Sequence, residues 1–526
     1  MEHVSARMSG LPPHLQPLLS PQSYPHSVAS VRLVETHISW VLLTGKYAYK
    51  IKRPVHYPFV DLRSAEHRAF LCAEEVRLNR RFAPQLYLDV CGIVESNSGV
   101  RIADDGAAIE HAVRMLQFDR EEELDRLIEA GRVAASELEE FGRVLAAIHA
   151  QLPQAAPGES WGTVASVRTQ LETNLAQCRQ SATDPGTRAA VDALARPLDA
   201  LLRTLEPDIA RRREQGRVRE CHGDLHCRNL VRIRNRLVAF DCLEFEPAFR
   251  WIDVADEVAF LWMDLAARRR PDFGLAFLSG YLERGGDHEL CRLLRLYGTH
   301  RALVRAKVAA LEHGGARRHH ALLDCARGLL EPARPSLVLM SGVSGSGKTW
   351  LARQLAPALG AIHLRSDVER KRLAGFAPEA DSHSAVAQRL YSADMSARVY
   401  ARLENCADAV LAGGLPVIVD ATFTQRAERD SFRGLAERRG APLVVVRCTA
   451  SEDVLRTRIT ERRERGGDAS EADLAVLDWQ LAHAEPLAAD ESVDLLEADT
   501  TRADVADQTL EALIRNLPVS SLAAPC

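Results

Sequence analysis

Residues 342–349 decide the fold of the C-terminal part of this 526-residue chain. In order they are Gly342, Val343, Ser344, Gly345, Ser346, Gly347, Lys348 and Thr349. The apolar run Leu337–Met340 precedes them and predicts a strand, and Trp350–Leu359 has the pattern of a helix. Glycines at this spacing let backbone N–H groups surround phosphate oxygens, while the lysine reaches the outer phosphates and the threonine hydroxyl ligates Mg²⁺. The stretch therefore predicts a phosphate-binding P-loop.

Two further apolar runs, Leu415–Val419 and Leu443–Arg447, alternate with helical patterns. This alternation is typical of a parallel sheet with crossover helices. Asp420 ends the first run, where a carboxylate can hold Mg²⁺. Asp367 follows a shorter predicted strand and can accept the proton of an attacking hydroxyl. Turn or helix-cap roles remain the alternative for both acids.

An arginine-rich helix follows the last of these strands. Arg458 and Arg462 lie on one face of it, because they are four residues apart. Guanidinium groups match phosphate oxygens, so this face is a candidate lid over the transferring phosphate. An ordinary solvated helix explains the arginines equally well.

The stretches GVSGSGKT, RSDVERKRL (365–373) and VIVDATF (417–423) resemble the P-loop kinases grouped with zeta toxins, polynucleotide kinases and gluconate kinases. The resemblance covers roughly residues 336–500. It implies that Asp367 is the catalytic base and that Arg370 helps to bind the substrate.

A second motif, His-Gly-Asp-Leu-His-Cys-Arg-Asn, occupies residues 222–229. Its D-x-x-x-x-N spacing predicts that Asp224 accepts a hydroxyl proton and that Asn229 ligates Mg²⁺. The apolar run Leu237–Phe240 then delivers Asp241, the second predicted metal ligand, after a short hairpin. His222 and His226 are expected to hold the shape of this loop.

HGDLHxxN followed by an aspartate at a strand end resembles the aminoglycoside phosphotransferase and choline kinase family. The resemblance implies a lysine on an early strand that anchors ATP. Lys50 is favoured over Lys52, and Glu75 is favoured over Glu74 or Glu66 as its ion-pair partner. With AYKIKRPV (48–55) and FDCLEF (240–245), the whole layout is similar to bacterial bifunctional aminoglycoside phosphotransferase/ATP-binding proteins.

Two groups of residues beside this second motif keep alternative interpretations. Glu244 and Glu246 either bind a cationic substrate or act as structural caps, and the structural role is favoured. Three cysteines near the motif lack metal-ligand spacing, so buried thiols are favoured over redox or metal roles. They are Cys221, Cys227 and Cys242.

Composition limits the class of partner. The 67 basic and 72 acidic side chains give a net charge of −5, which disfavours a nucleic-acid substrate. Eleven scattered cysteines and the lack of a long apolar run are typical of a cytoplasmic protein without a membrane partner.

The motifs divide the chain into predicted regions: a poorly ordered lead-in (1–27), an α+β protein-kinase-like domain (28–330), a linker (331–336), an α/β P-loop domain (337–518) and a tail (519–526). We expect an ATP- and Mg²⁺-dependent enzyme that phosphorylates hydroxyl groups of small molecules. Two alternatives remain: a regulatory protein in which only the P-loop domain transfers phosphate, and a polynucleotide 5′-kinase activity of that domain.

Overall fold

A computed structural model describes residues 10–517 of the chain, with gaps. The gaps are 58–59, 97–98, 104, 183, 313–314, 332, 378–391, 466–468, 489–490 and 492–493. Residues 1–9 of the predicted lead-in, Pro332 of the predicted linker and the predicted tail (519–526) lie outside the described residues.

The N-terminal part is built on an antiparallel sheet of six strands, in the order β1-β2-β3-β8-β6-β7. The strands, together with the small hairpin β4–β5, are β1 (Arg32–Glu35), β2 (Ser39–Leu43), β3 (Tyr47–Lys52), β4 (His56–Tyr57), β5 (Val60–Asp61), β6 (Tyr87–Ser96), β7 (Gly99–Ala103) and β8 (Ala108–Leu116). Strand β3 lies inside this sheet, where Lys50 pairs with Val41 on one side and Val113 on the other. The sheet therefore fixes the position of the predicted lysine from both sides.

Helix α1 (Ala65–Asn79) packs on this sheet. Ser64 caps its first turn by accepting a hydrogen bond from the N–H of His67, as expected for an N-cap serine. Glu75 lies on the buried face of α1 with Leu71 and Leu78. The helix thus carries a charged side chain into the core beside β3.

The His222–Asn229 motif lies between two short antiparallel pairs. Strand β9 (Val218–Glu220) pairs with β12 (Trp251–Asp253), and β10 (Leu230–Ile233) pairs with β11 (Arg236–Ala239). The turn between β10 and β11 holds Arg234 and Asn235 at positive φ, which is typical of a two-residue hairpin turn. The hairpin places Asp241 next to the end of the motif.

A helical region includes α2 (Leu124–Glu129), α3 (Ala135–Gln151), α4 (Val164–Ser181), α5 (Pro185–Glu214), α6 (Val254–Ala267), α7 (Pro271–Gly285), α8 (Leu294–Leu311) and α9 (Ala316–Leu330). Helix α6 is buried along its whole length except at its last residue, because apolar side chains surround it on every face. Asp256 on this helix is neutralised in the interior by a paired hydrogen bond with Arg301.

The C-terminal part is a five-stranded parallel sheet in the order β14-β15-β13-β16-β17. Its strands are β13 (Leu337–Ser341), β14 (Ile362–Arg365), β15 (Val417–Asp420), β16 (Leu443–Thr449) and β17 (Asp494–Asp499). Its helices are α10 (Lys348–Leu359), α11 (Ser366–Leu373), α12 (Ala393–Ala412), α13 (Arg426–Arg439), α14 (Glu452–Arg465), α15 (Leu474–His483) and α16 (Val505–Asn516). The α+β class of the first domain and the parallel α/β class of the second are confirmed.

The compact units do not coincide with the predicted domains. One unit comprises Met1–Val133, Gln151–Gly162 and Gly216–Asp253; the other comprises Ala134–Ala150, Thr163–Gln215 and Val254–Cys526. The second unit joins most of the helical region to the P-loop sheet. A close backbone approach illustrates this packing, because a Cβ at Gly413 would lie 2.3 Å from the carbonyl oxygen of Cys291.

Residues 10–26 also differ from the loosely ordered lead-in that we expected. Pro13–Leu19 and Pro21–Ser23 form short 3-10 helices, and Leu15 and Leu18 are fully buried against the outer strands of the sheet. Apolar residues spaced three apart allow even a proline-rich segment to dock. Among the described residues, no helix has both the length and the apolar character needed to span a membrane.

Candidate functional sites

In the first unit, β3 and α1 bring Lys50 and Glu75 into contact. The Nζ of Lys50 donates to Glu75 Oε1 at 2.8 Å and to Asp241 Oδ1 at 2.6 Å. Burial by itself would lower the pKa of Lys50, but the Asp241 and Glu75 carboxylates raise it well above its usual value. Lys50 is therefore a fixed positive charge next to a predicted metal ligand.

Lys52 approaches the other side of the same carboxylate. Its Nζ donates to Glu75 Oε2 at 2.7 Å and also to Glu244. Burial would raise the pKa of Glu75, but the charges of Lys50 and Lys52 lower it to about 2. Since Lys52 is 1% exposed and Lys50 is 12% exposed, Lys50 is the lysine that can meet a ligand.

The acids that the sequence left open have separate partners. Glu74 pairs with Arg77, Glu66 accepts from the Ser64 hydroxyl, and Glu75 is the candidate that contacts Lys50. Glu244 is occupied by buried Lys52, and Glu246 caps a 3-10 turn by accepting from the N–H of Ala248. These contacts match the structural role that the sequence favours for both glutamates.

The catalytic-loop motif places its two polar ends together. The Nδ2 of Asn229 donates to both the main-chain oxygen and Oδ2 of Asp224, each at 3.0 Å. The Nε2 of His226 lies 3.3 Å from the same Oδ2. The amide of Asn229 thereby fixes the Asp224 carboxylate and turns its own Oδ1 away from that carboxylate.

Asp241 joins this group through the hairpin. The N–H of Phe240 donates to the carbonyl oxygen of Asn229 at 2.9 Å, and the N–H of Asp241 donates to the hydroxyl of Tyr87 at 3.0 Å. Asp241 has φ +64°, a left-handed conformation that non-glycine residues seldom adopt outside functional sites and turns. The Asn229 and Asp241 side chains supply oxygen donors, the ligand type that suits Mg²⁺.

An apolar cluster borders this site, and the sequence did not reveal it. Buried Ala48 and Met115 of the six-stranded sheet pack in one cluster with residues of the β10–β11 hairpin. Phe118 and Phe240 meet edge to face, with ring centroids 5.0 Å apart. The alternation of apolar residues along β3 and β11 was the sequence signal for this cluster.

In the second unit, the P-loop follows β13 and leads into α10. Gly342, Gly345 and Gly347 all have positive φ, and a Cβ at Gly345 would lie 2.8 Å from the carbonyl oxygen of Leu455. Glycine is therefore required by both backbone conformation and space. The Nζ of Lys348 donates a hydrogen bond to the carbonyl oxygen of Val343 at 2.8 Å.

Helices α14 and α15 support the loop from outside. Gln480 Oε1 accepts from the N–H of Ser344 at 2.7 Å, and Arg458 Nη1 donates to the carbonyl oxygen of Gly345 at 3.2 Å. Val343 packs in an apolar cluster with Leu455, Ile459 and Leu477. We expected Arg458 to be a lid or substrate residue. In the structure its guanidinium instead donates hydrogen bonds to the loop backbone and to the main-chain and side-chain oxygens of Thr500.

The strand-end carboxylate meets the P-loop threonine. Thr349 Oγ1 donates to Asp420 Oδ2 at 2.6 Å, and His363 Nε2 lies 3.2 Å from the same oxygen. Burial would raise the pKa of Asp420, but the hydrogen bond and charge of His363, together with Lys348 and Thr349, lower it to about 2. The hydroxyl and the ionised carboxylate form an oxygen-donor set suited to Mg²⁺.

Helix α11 presents Asp367, Arg370 and Lys371 on one face, because they are spaced three and four residues apart. Arg370 Nη1 reaches the Ser396 hydroxyl at 3.5 Å and Lys371 Nζ reaches Glu471 at 3.1 Å. Arg462 donates to the carbonyl oxygen of Ala472 and so bonds the segment before α15. The structure thus places the predicted base and Arg370 on a common face, while Arg462 has a backbone partner.

Comparisons with known proteins follow the same division. Residues 50–294 match the family described as a phosphotransferase enzyme family, and residues 337–487 match an AAA domain. Proteins of Mycobacterium tuberculosis and Mycobacterium bovis, each described as uncharacterized, are 31% identical over 460 residues, covering 85% of this chain and 91% of theirs. The chain belongs to the family of bifunctional aminoglycoside phosphotransferase/ATP-binding proteins.

Several solved structures are similar to parts of this chain. A choline/ethanolamine kinase family protein from Mesorhizobium loti is 10% identical, with a TM-score of 0.36, covering 58% of this chain and 89% of its own. A sugar kinase from Janibacter is 23% identical, with a TM-score of 0.28, covering 37% and 99%.

Proposed function

We propose that the chain is a bifunctional phosphotransferase that transfers the γ-phosphoryl group of ATP, with Mg²⁺, to hydroxyl groups of small molecules at two sites. The observation that supports the proposal is that each site has a lysine near oxygen donors, together with a carboxylate that is the candidate base. In the first site these are Lys50, Asn229 with Asp241, and Asp224. In the second they are Lys348, Thr349 with Asp420, and Asp367.

At the first site, the apolar cluster that includes Ala48 and Phe118 would border the adenine, and Lys50 would hold phosphate oxygens. The acceptor hydroxyl oxygen attacks the γ-phosphorus while the bond from that phosphorus to the bridging oxygen of ADP breaks. The hydroxyl proton passes to Asp224, whose Oδ2 is fixed by Asn229 Nδ2. Bound Mg²⁺ would neutralise negative charge on the phosphates.

At the second site, the backbone N–H groups of the P-loop and Lys348 would bind the phosphates. Burial lowers the pKa of Lys348 from its usual value, an effect that Asp420 opposes. A bound polyphosphate would strengthen the charged form of this lysine further. Asp367, whose side chain is 25% exposed, would accept the proton of the acceptor hydroxyl.

The test uses full-length chains in which one site is silenced at a time. Lys348→Ala leaves the first site as the source of turnover, and Asp224→Asn leaves the second. ATP consumption is measured with a panel of hydroxylated metabolites for each single variant and for the double variant. We expect each single variant to phosphorylate its own acceptors and the double variant to be inactive.

Two results would count against parts of the proposal. Full turnover by the chain carrying both substitutions would exclude Asp224 as the base of the first site or Lys348 as the anchor of the second. Loss of all turnover with Lys348→Ala alone would favour the regulatory alternative, in which the first site only binds nucleotide.

A further inference from the structure

Helix α11 carries charged side chains on two faces. Asp367, Arg370 and Lys371 form the face described above. Glu369 and Arg372, with Arg365 at the N-cap, are spaced by three and four residues and define the opposite face. We call these three residues the anchor face of α11.

The anchor face binds the C-terminal end of α7. Arg372 donates to the carbonyl oxygens of Glu283 and Arg284, and Arg365 Nη1 lies 3.4 Å from Glu283 Oε1. The last carbonyl groups of a helix lack intrahelical partners and carry partial negative charge. A guanidinium group there supplies both the missing hydrogen-bond donors and a compensating positive charge. The arginines of α11 therefore act as the C-terminal cap of a helix from a distant part of the sequence.

A buried carboxylate organises these arginines. Glu369 is 2% exposed and accepts from Arg372 Nε at 3.2 Å and from Arg402 Nε of α12 at 3.0 Å. Arg402 also donates to the carbonyl oxygen of Gly286, the left-handed cap residue of α7. Burial would raise the pKa of Glu369, but His288, Arg372 and Arg402 lower it, so the carboxylate stays ionised.

We infer that the contacts linking Glu369, Arg372 and Arg402 to the end of α7, here called the ionic joint, position helix α11 in the second site. The N-terminal end of α11 is held through Arg365 and its body through Glu369 and Arg372, which fixes the position of Asp367, a carboxylate whose charge acts on Lys348 of the P-loop. Glu369 and Arg372 are accordingly positioning residues, as is Gly286, which lies 81 positions before Asp367 in the sequence. The inference rests on the proposed transfer reaction at the second site.

Gly286 offers a selective test. A Cβ at this position would lie 2.6 to 2.8 Å from the guanidinium end of Arg372, so Gly286→Ala should displace that side chain from its carbonyl partners. Gly440 caps α13 with a similar φ of +60° and has no atom within 4 Å of such a Cβ. Gly440→Ala is therefore a matched control for the backbone strain alone.

Both substitutions are made in full-length protein carrying Asp224→Asn, with ATP and water as the reactants. We expect Gly286→Ala to lower kcat for ATP hydrolysis on the order of 10-fold while KM for ATP stays unchanged, because small displacements of a catalytic group are costly. Gly440→Ala should change neither. Equal kcat values for the two variants would overturn the inference.

Amide hydrogen exchange separates this inference from the proposed function. Exchange at 365–373 should accelerate in Gly286→Ala and in Glu369→Gln, and should be unchanged in Gly440→Ala. Absence of ATP turnover in the Asp224→Asn parent would count against the proposed second site, and the exchange result would still decide whether the joint holds α11. Unchanged exchange at 365–373 in both variants would refute the joint.

Discussion

Lys52 and Lys50 share one carboxylate: their Nζ atoms lie 2.7 and 2.8 Å from the two oxygens of Glu75. The lysines differ in what else they reach. Lys50 continues to Asp241, whose side chain is 47% exposed, whereas Lys52 continues to buried Glu244. One lysine therefore belongs to the ligand side of Glu75 and the other to the core side.

This difference predicts that two similar substitutions affect stability and turnover to different degrees. Lys52→Met leaves Glu75 and Glu244 buried with one cation fewer, and removing one member of a buried ion pair costs about 3–5 kcal/mol. We expect a clearly lower midpoint of thermal unfolding. Lys50→Met should abolish turnover at the first site with a smaller effect on that midpoint.

The matched control for Lys52→Met is Lys52→Met combined with Glu244→Gln, which removes the uncompensated charge. Recovery of part of the lost stability would support the assignment. If Lys52→Met unfolds at the same temperature as the unaltered chain, the core role of Lys52 is wrong.

Gln480 provides a second prediction. Its side-chain oxygen is the acceptor for the N–H of Ser344, and Ser344 is buried. Gln480→Leu leaves this N–H without an acceptor, at a cost of about 1–3 kcal/mol to the loop conformation that binds phosphate. We expect ADP affinity at the second site to fall roughly tenfold or more, measured by calorimetry in chains carrying Lys50→Met.

Gln480→Glu is the control, because glutamate has a side chain of the same length and keeps an oxygen acceptor for the N–H of Ser344. ADP affinity should then stay near that of the parent. Equal losses of affinity in the leucine and glutamate variants would show that Gln480 acts through something other than its hydrogen bond to Ser344.

Buried histidines predict how stability depends on pH. Burial lowers the pKa of His222 and His288 to about 4 and that of His300 to about 3. An unfolded histidine has a pKa near 6.5, so between these values the unfolded chain binds more protons than the folded chain. The stabilisation is fully present above about pH 6.5 and is lost as pH falls toward the folded values.

Thermal unfolding midpoints between pH 7 and pH 4 test this prediction. The slope with pH should be shallower in His300→Gln than in the parent, whereas His320→Gln should keep the parental slope because His320 is exposed. Identical slopes in both variants would contradict a role for His300 in acid destabilisation.

Local spacing was enough to locate the P-loop and the His222–Asn229 motif. Each is a short segment in which the glycines, the lysine or the paired polar residues occur at fixed spacings. Such spacings can be recognised directly in the amino-acid sequence. Strand alternation likewise gave the class of both sheets. Edge strand β17 and helix α15 were missed, because an exposed edge strand and a ten-residue helix carry weak apolar periodicity.

The sequence by itself determined which residues are candidates for the proposed chemistry: Lys348 with Thr349, Asp224 with Asn229, and a lysine on β3. Only the tertiary structure decided which side of Glu75 each lysine occupies, that Gln480 supports Ser344 from 136 positions away, and that α7 holds the helix bearing Asp367. The physical reason is that motifs are set by neighbours along the backbone. Side-chain contacts across the fold depend on burial and packing directions, which no spacing encodes.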